Sequence, residues 1–237
     1  ELTKTYGKIS LAKVYKYQKD YTKATKYLYE ILTVTNDKKV ATVVADELFD
    51  VYILDEKFDK ANELITQVLK TNIDFYANDS YLANKKVNRL IKAGMPEHAS
   101  EILKELLKRT TKEDVIEDFK FKLANTYMIM YDRTNYYLEK AKELYKDIIN
   151  DYPSYAPAYV ALGEVFYSKK DFDKSISYYE KSISIDSSFD LNSFYRLALM
   201  QKEKKLYKQS KANFSYYVNN QKKERYKERV EDCKQEI

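Results

Sequence analysis

The strongest constraint on this chain is a pair that occurs six times: a small residue followed, four positions later, by a large apolar or aromatic one. The pairs are Ala24/Leu28, Ala61/Ile65, Ala99/Leu103, Ala141/Tyr145, Ser175/Tyr179 and Ser210/Phe214. The small residues of neighbouring pairs are 34 to 42 residues apart. This is the range in which internal self-similarity indicates stacked helical hairpins. We therefore expect an array of repeats in which each hairpin packs on its neighbours.

Composition supports an all-helical array. The 237 residues are 44% hydrophobic and 33% charged, which is enough to bury a core. The chain contains only three Gly and three Pro, too few turn residues for a β-sandwich or barrel. Because a repeat array grows by adding units, we expect one continuous array over residues 1–237 rather than two globular lobes.

The hairpin pattern is clearest near residue 160. Apolar residues recur at helical spacing in residues 158–167, a polar turn follows at 168–173, and the helical period resumes in 174–183. Gly163 and Ser175 lack bulk, so two helices can approach closely there, while Tyr179 fills the space beside them. At Ser175 and Ser210 the hydroxyl must find a backbone carbonyl.

This unit resembles the tetratricopeptide repeat. The matching residues are Tyr159, Leu162-Gly163, Phe166, Ser175, Tyr179 and Ser182, and the first-helix pair returns as Leu11-Ala12, Leu48-Phe49, Leu123-Ala124 and Leu197-Ala198. Lys86-Val87 is the clear departure. The resemblance implies an all-α, right-handed superhelical solenoid of about six hairpins plus a C-terminal capping helix. The expected repeats are about 5–41, 42–79, 80–116, 117–155, 156–190 and 191–224, with the final helix at 225–237.

Loops are expected to absorb the departures from a strict 34-residue period. The extra residues fall at 36–38, 72–74 and 110–113, and the fourth repeat has an insertion at 130–136 between its helices. The superhelical twist should therefore be irregular there, above all at residues 130–138.

Charge is unevenly distributed. From Leu191 to the C-terminus there are 12 Lys/Arg against 6 Asp/Glu, within a net charge of +5. One interpretation is a nucleic-acid or anionic-membrane surface. It would involve Lys202, Lys204, Lys205, Lys208, Lys211, Lys222, Lys223, Arg225, Lys227 and Arg229. The other is a solvated outer face with an end cap, which the interleaved acids favour.

Catalytic and metal chemistry have little support in the sequence. The single histidine, His98, and the single cysteine, Cys233, are far apart, and three isolated glycines cannot form a phosphate-binding loop. One cysteine also excludes an intramolecular disulfide. We expect no enzyme activity, no cofactor and no metal site. His98 should be partly exposed, and most of the 25 tyrosines should belong to the core. Cys233 shares an apolar stripe of the final helix with Val230, so it should be a buried structural thiol or a residue at a cut edge.

The resemblance implies that first helices line a concave groove. The residues expected to face it are Asp50, Asn84, Asn88, Phe121, Asn125, Met128, Glu164, Tyr167 and Tyr195. Asn amides can donate to and accept from a peptide backbone, which predicts a peptide groove, although exposed asparagines can equally have no role. Family members that grip a chaperone tail use a set of Lys, Asn and basic residues. Here only Asn125 and Arg196 match that set. The remaining positions of the set carry Phe121, Ala161 and Asn192, so a chaperone tail is disfavoured as the ligand.

These observations predict a non-enzymatic scaffold for protein–protein interaction that binds a protein or peptide and no small-molecule substrate. Lys-, Tyr- and Ile-heavy usage favours a bacterial source and a larger bacterial assembly. The run 141–185 is similar to scaffolds of envelope, pilus or flagellar machinery, which is one alternative. A nucleic-acid or membrane-surface binder is another, with nucleic acid disfavoured and membrane contact expected only indirectly. A domain regulating an enzyme in a longer chain is the third.

The N-terminal residue bears on the cellular compartment of the protein. Glu1 without an initiating Met suggests a cut within a longer or processed protein, so a targeting segment could have been lost. Cytoplasm and bacterial periplasm therefore both remain open, as does the oligomeric state.

Overall fold

A computed structural model describes residues 2–71, 73–131 and 134–236. These residues form helices, turns and irregular segments without a β-strand. The chain divides into two compact units, Glu1–Lys122 and Leu123–Ile237. The predicted all-α class and hairpin architecture are confirmed within each unit.

The described residues of the first unit form seven helices and the start of an eighth. Their bounds are α1 Leu2–Tyr17, α2 Tyr21–Val34, α3 Lys38–Leu54, α4 Phe58–Thr71, α5 Ile73–Tyr76, α6 Ser80–Lys92 and α7 Pro96–Arg109, followed by α8 Glu113–Met130. In this unit α2 packs on both α1 and α3, and α7 packs on α4, α5 and α6. The four-residue helix α5 was not expected from the sequence.

The second unit contains the end of α8 and six further helices. Their bounds are α9 Asn135–Asp151, α10 Ala156–Ser168, α11 Phe172–Ile185, α12 Asn192–Glu203, α13 Tyr207–Asn220 and, after a 3₁₀ turn at Glu224–Tyr226, α14 Lys227–Lys234. From α9 to α14 each helix packs on the next. Consecutive antiparallel packing of this kind is what a stack of hairpins requires.

A common turn joins the two helices of five hairpins. The residue two places before the second helix has φ between +56° and +77°, at Lys19, Glu56, Gly94, Lys170 and Lys205. The following N–H donates to a carbonyl five residues back, for example Asp171 to Phe166 at 2.9 Å. This is the Schellman arrangement that ends a helix. Four of these five residues are not glycine, so they adopt the left-handed region at a steric cost.

The expected close crossing occurs in the α10–α11 hairpin. A Cβ added at Gly163 would lie 2.9 Å from the Tyr179 ring, so only glycine fits without rearrangement. Ser175 Oγ donates to the Gly163 carbonyl at 2.8 Å, and Ser210 Oγ donates to the Ala198 carbonyl at 2.7 Å. The prediction that both hydroxyls find a backbone carbonyl is therefore confirmed.

Some of the extra residues lengthen helices instead of loops. Helix α3 has 17 residues and α8 has 18, against 13 in α10. They begin at Lys38 and Glu113, about four residues before the expected starts of the second and fourth repeats. Asp37 explains the first case, because its carboxylate accepts from the Lys39 and Val40 N–H groups and caps the helix.

Part of the expected irregularity falls outside the described residues. Asn72 in the second repeat and Asp132 and Arg133 in the fourth-repeat insertion are not described. Residues 135 and 136 of the expected insertion belong to α9, which is capped by Thr134, whose side chain accepts from the Tyr136 N–H.

The C-terminal helix acts as a cap, as predicted. Cys233 on α14 is 1% exposed and packs with Phe194, Phe214 and Tyr217 of the last hairpin. Val230 packs against the same cluster. The helix covers Lys227–Lys234 rather than the whole expected stretch from 225, and Ile237 lies outside the described residues.

Within residues 2–71, 73–131 and 134–236, no helix combines the length and apolar content needed to cross a bilayer.

Candidate functional site

The first-helix face of the first unit is organised around Arg89. Asp46 and Asp50 lie one turn apart on α3, and Arg89 reaches them from α6. Its Nη1 lies 2.8 Å from Asp46 Oδ1, its Nη2 donates to the Asp46 carbonyl at 2.6 Å, and the same nitrogen pairs with Asp50. The guanidinium also lies 5.0 Å from the centre of the Phe49 ring. Asp50, an expected groove residue, is therefore already ion-paired.

Lys86 explains the departure in the third repeat. Its side chain is 4% exposed and ion-paired with Asp46. Leucines occupy the matching position elsewhere, and Leu48, Leu162 and Leu197 are at most 2% exposed. Burial, with the nearby Arg89 charge, lowers the pKa of Lys86 to about 8. The sequence marked Lys86 as unusual but did not identify it as part of this face.

A cleft of about 460 Å³ lies beside this ion-pair network. Its lining residues are Asp46, Glu47, Asp50, Lys85, Asn88, Arg89 and Lys92. Glu47 is paired with Lys16 at 2.7 Å and Lys13 at 3.2 Å. Although burial opposes ionisation of Glu47, these two lysines lower the pKa of its carboxyl. All three carboxylates of the cleft thus have cationic partners.

The other expected residues of this unit have different environments. Asn88 is exposed, and its Oδ1 accepts from the Lys122 ammonium. Asn84 is half-buried, and its Oδ1 is buried without a hydrogen-bond partner. Phe121 is half-buried on α8. Only Asn88 of this set therefore presents an exposed amide.

In the second unit, Asn125 makes an internal hydrogen bond. Its Oδ1 accepts from the Tyr145 hydroxyl at 2.6 Å. Burial, together with the nearby Glu164 charge, raises the pKa of Tyr145, so this hydroxyl keeps its proton. Met128, one turn further along α8, is half-buried. Asn125 therefore has its acceptor occupied, which leaves its amide nitrogen as the group available to a ligand.

Glu164 and Tyr167 lie one turn apart on α10 and both contact Arg196 of α12. Arg196 Nε is 2.5 Å from Glu164 Oε1, and its guanidinium lies 5.8 Å from the Tyr167 ring centre. Burial raises the pKa of Glu164, although Arg196 acts in the opposite direction. The Tyr167 ring is 38% exposed and packs 5.9 Å from the Phe172 ring. An exposed aromatic is thus held in place on two sides.

Tyr195 on α12 is covered from the C-terminal side. The Arg229 guanidinium of α14 lies 4.7 Å from its ring centre, and Arg229 Nη1 donates to Asn192 Oδ1 at 3.0 Å. The ring also meets Phe214 edge-on at 6.1 Å. The capping helix therefore leaves Tyr195 half-buried, with less surface than Tyr167.

The basic C-terminal region is partly neutralised by its own acids. Lys202 pairs with Glu236 at 2.8 Å, Lys227 pairs with Glu224 at 3.2 Å, and Lys204 contacts Asp173. Among the described residues of this C-terminal region, the exposed cations without an ion pair are Lys205, Lys208, Lys211, Lys222, Lys223 and Arg225. The interleaved acids thus reduce the charge that an anionic surface would meet.

The single histidine and the single cysteine are both at least half-buried. His98 is half-buried on α7. Burial raises the pKa of Cys233 to about 11, which leaves the thiol protonated and unreactive at neutral pH. In the part of the chain that the structure describes, no group of His, Cys, Asp and Glu could hold a metal ion.

Stacked two-helix hairpins define a helical-repeat fold. The tetratricopeptide repeat family model matches residues 156–189, which are α10, α11 and the loop after them. The chain therefore carries a tetratricopeptide repeat and has the fold of tetratricopeptide repeat proteins.

Solved structures support the same fold. PilW, described as a widely conserved type IV pilus biogenesis factor, is 16% identical with a TM-score of 0.59, covering 96% of this chain and 97% of its own. TTC0263, a TPR protein of Thermus thermophilus, is 18% identical with a TM-score of 0.58, covering 84% and 100%. PilF of Pseudomonas aeruginosa is 12% identical with a TM-score of 0.55, covering 98% and 97%. A comparison with curated proteins gives no significant match.

Proposed function

We propose that this protein is a non-enzymatic scaffold that binds a protein or peptide partner through its first-helix faces. The observation that carries the proposal is Tyr167, an exposed aromatic held between Phe172 and Arg196. Tyrosine and arginine are enriched among the residues that dominate binding energy at interfaces. Because neighbouring side chains already fix the Tyr167 ring, this side chain loses less conformational entropy when a partner binds.

Polar groups beside Tyr167 orient the bound polypeptide. The Glu164–Arg196 pair leaves the Arg196 side chain 39% exposed, with its guanidinium close to the Tyr167 ring, so it can still donate to a partner carbonyl. Asn125 has its oxygen occupied by Tyr145, and its amide nitrogen supplies a donor to a peptide backbone. The remaining expected groove residues of this unit, Met128 and Tyr195, add partly exposed apolar surface.

The test is capture of partners by the immobilised full chain, with captured proteins identified and then measured individually. Tyr167→Ala should weaken the affinity for a genuine partner by tenfold or more. The matched control is Tyr136→Ala, because Tyr136 is an even more exposed tyrosine, at 60%, on the second helix α9 of the same unit. A partner that binds Tyr167→Ala as well as the parent, with both folded by circular dichroism, would reject this face.

Assembly of a bacterial envelope or pilus structure is the second candidate. It is supported by the near full-length likeness in fold to PilW and PilF, whose names refer to pili. The test is deletion of the gene in its source organism and counting of surface pili by electron microscopy. Normal pili in the deletion strain would reject this candidate without affecting the scaffold proposal.

A further inference from the structure

We infer that the cleft between α3 and α6 binds an acidic segment of a partner polypeptide, with Lys85 and Lys92 as its cationic contacts. The inference rests on the proposed function, since it assumes that first-helix faces bind polypeptide. It goes further by naming the chemistry of the partner and by placing the contact in the first unit.

The carboxylates of the cleft are not available to a basic ligand. Asp46 is paired with Lys86 and Arg89, and Asp50 is paired with Arg89. Glu47 is paired with two lysines of α1. A cationic partner would have to break one of these pairs and would leave a partly buried cation without its counter-charge, which is costly.

Two cations of the cleft wall have no such partner. Lys85 and Lys92 on α6 are exposed, and neither forms an ion pair with any described residue. They are seven residues apart, so they lie on one face of α6 and about 10.5 Å apart along its axis. Because internal ion pairs neutralise the carboxylates of the cleft, the charge that a ligand would meet there is positive.

Asn88 lies between these lysines on the same face. Its Oδ1 accepts from the Lys122 ammonium, so the amide nitrogen is the group left to contact a ligand. That nitrogen is a donor, as are both lysine ammonium groups. A row of three donors suits a ligand rich in carboxylates and backbone carbonyls.

A buried ion pair between Lys86 and Asp46 adjoins the cleft. Lys86 is a charged residue at a position where the other repeats carry leucine, and burying its charge lowers its pKa. A core leucine would avoid this cost, so the fold gains no stability from the substitution. The Lys86 ammonium is paired with Asp46, which lines the cleft together with Arg89.

The spacing of the lysines predicts the spacing of the acids. An extended peptide advances about 3.4 Å per residue, so carboxylates three residues apart would match a distance of about 10.5 Å. A helical peptide would need acids about seven residues apart. Neither arrangement requires a free C-terminal carboxylate.

The experiment uses a fluorescein-labelled, C-terminally amidated 12-residue peptide with Glu at every third position among Ser and Ala. Its comparison peptide carries Lys in place of Glu, and binding to the full chain is followed by fluorescence anisotropy. We expect the Glu peptide to bind the parent and the Lys peptide not to bind. The Lys85→Glu/Lys92→Glu variant should bind the Glu peptide with an affinity at least tenfold lower than the parent does.

The matched control is Lys26→Glu/Lys60→Glu. These lysines are exposed on α2 and α4 of the same unit, form no ion pair with a described residue, and give the same change in net charge. Affinity within twofold of the parent is expected. An equal loss in both variants would show a general charge effect and overturn the inference, as would failure of the Glu peptide to bind the parent.

Two further outcomes are decisive. A single-stranded oligonucleotide of equal charge that binds more tightly, with the same dependence on Lys85 and Lys92, would overturn the inference in favour of a nucleic-acid site. Partners captured through Tyr167 but unaffected by Lys85→Glu/Lys92→Glu, together with no binding of the Glu peptide, would overturn this inference alone and leave the proposed scaffold function in place.

Discussion

Replacing Gly163 with alanine tests the helix crossing that organises the α10–α11 hairpin. The new Cβ would lie 2.9 Å from Tyr179 Cε2 and 3.0 Å from two other atoms of the ring. The ring cannot move aside easily, because Tyr179 is fully buried and packs in a cluster with Leu197 and Met200. We therefore expect the backbones of α10 and α11 to be forced apart.

Two opposing effects set the magnitude. Alanine stabilises a helix interior by about 1 kcal/mol relative to glycine. Overpacking a tight core costs about 1–3 kcal/mol. The separation of the helices also strains the Ser175–Gly163 hydrogen bond. The net result should be a loss of about 1–2 kcal/mol in the free energy of unfolding.

Urea denaturation of the full chain, followed by circular dichroism, measures the effect. A double-mutant cycle identifies its cause, because Tyr179→Leu removes the ring atoms that the new Cβ would meet. In that background Gly163→Ala should become neutral or stabilising by about 1 kcal/mol. Tyr179→Phe keeps the ring, so Gly163→Ala should remain destabilising there. A Gly163→Ala protein as stable as the parent would refute the steric account.

Three other outcomes are expected. Lys170→Gly should stabilise the protein by up to about 1 kcal/mol in the same assay, since φ is +58° there, whereas Gly94→Ala should destabilise it by a similar amount. Between about pH 8 and 10.5, Lys86 binds fewer protons in the folded chain than in the unfolded chain. Raising the pH through this range should therefore increase the free energy of unfolding of the parent, relative to that of Lys86→Leu, by up to roughly 3 kcal/mol. A difference that does not change with pH would contradict the lowered pKa. Finally, Lys208→Glu/Lys211→Glu/Lys222→Glu should leave capture of the protein partner unchanged; loss of that capture would implicate the basic region.

Contacts within one hairpin could be predicted from the sequence. Gly163, Ser175 and Tyr179 lie within 16 residues of one another, and their sizes alone indicate which atoms approach closely. The same reasoning placed Cys233 in the core, because it shares an apolar stripe with Val230.

Contacts between repeats were much harder to predict. Arg89 reaches Asp50 and Arg196 reaches Glu164 across more than 30 residues, and such pairings depend on helix length and register. The sequence assigned the extra residues before α3 to a loop, and this shifted the expected start of the repeat. The residue that predicts the start of α3 is Asp37, whose carboxylate accepts from the N–H of Lys39, two residues later.

The five left-handed turns also have a consequence for how this array can tolerate changes in length. One residue added to a first helix ahead of such a turn would rotate everything beyond it by about 100°. An insertion between Glu164 and Tyr167, for example, would remove these two residues from their shared stripe. The irregular segments that separate hairpins, 35–37, 110–112 and 186–191, carry no such angular constraint. Loop grafts and inserted tags therefore belong in those segments, where the phase of the helices within each hairpin is preserved.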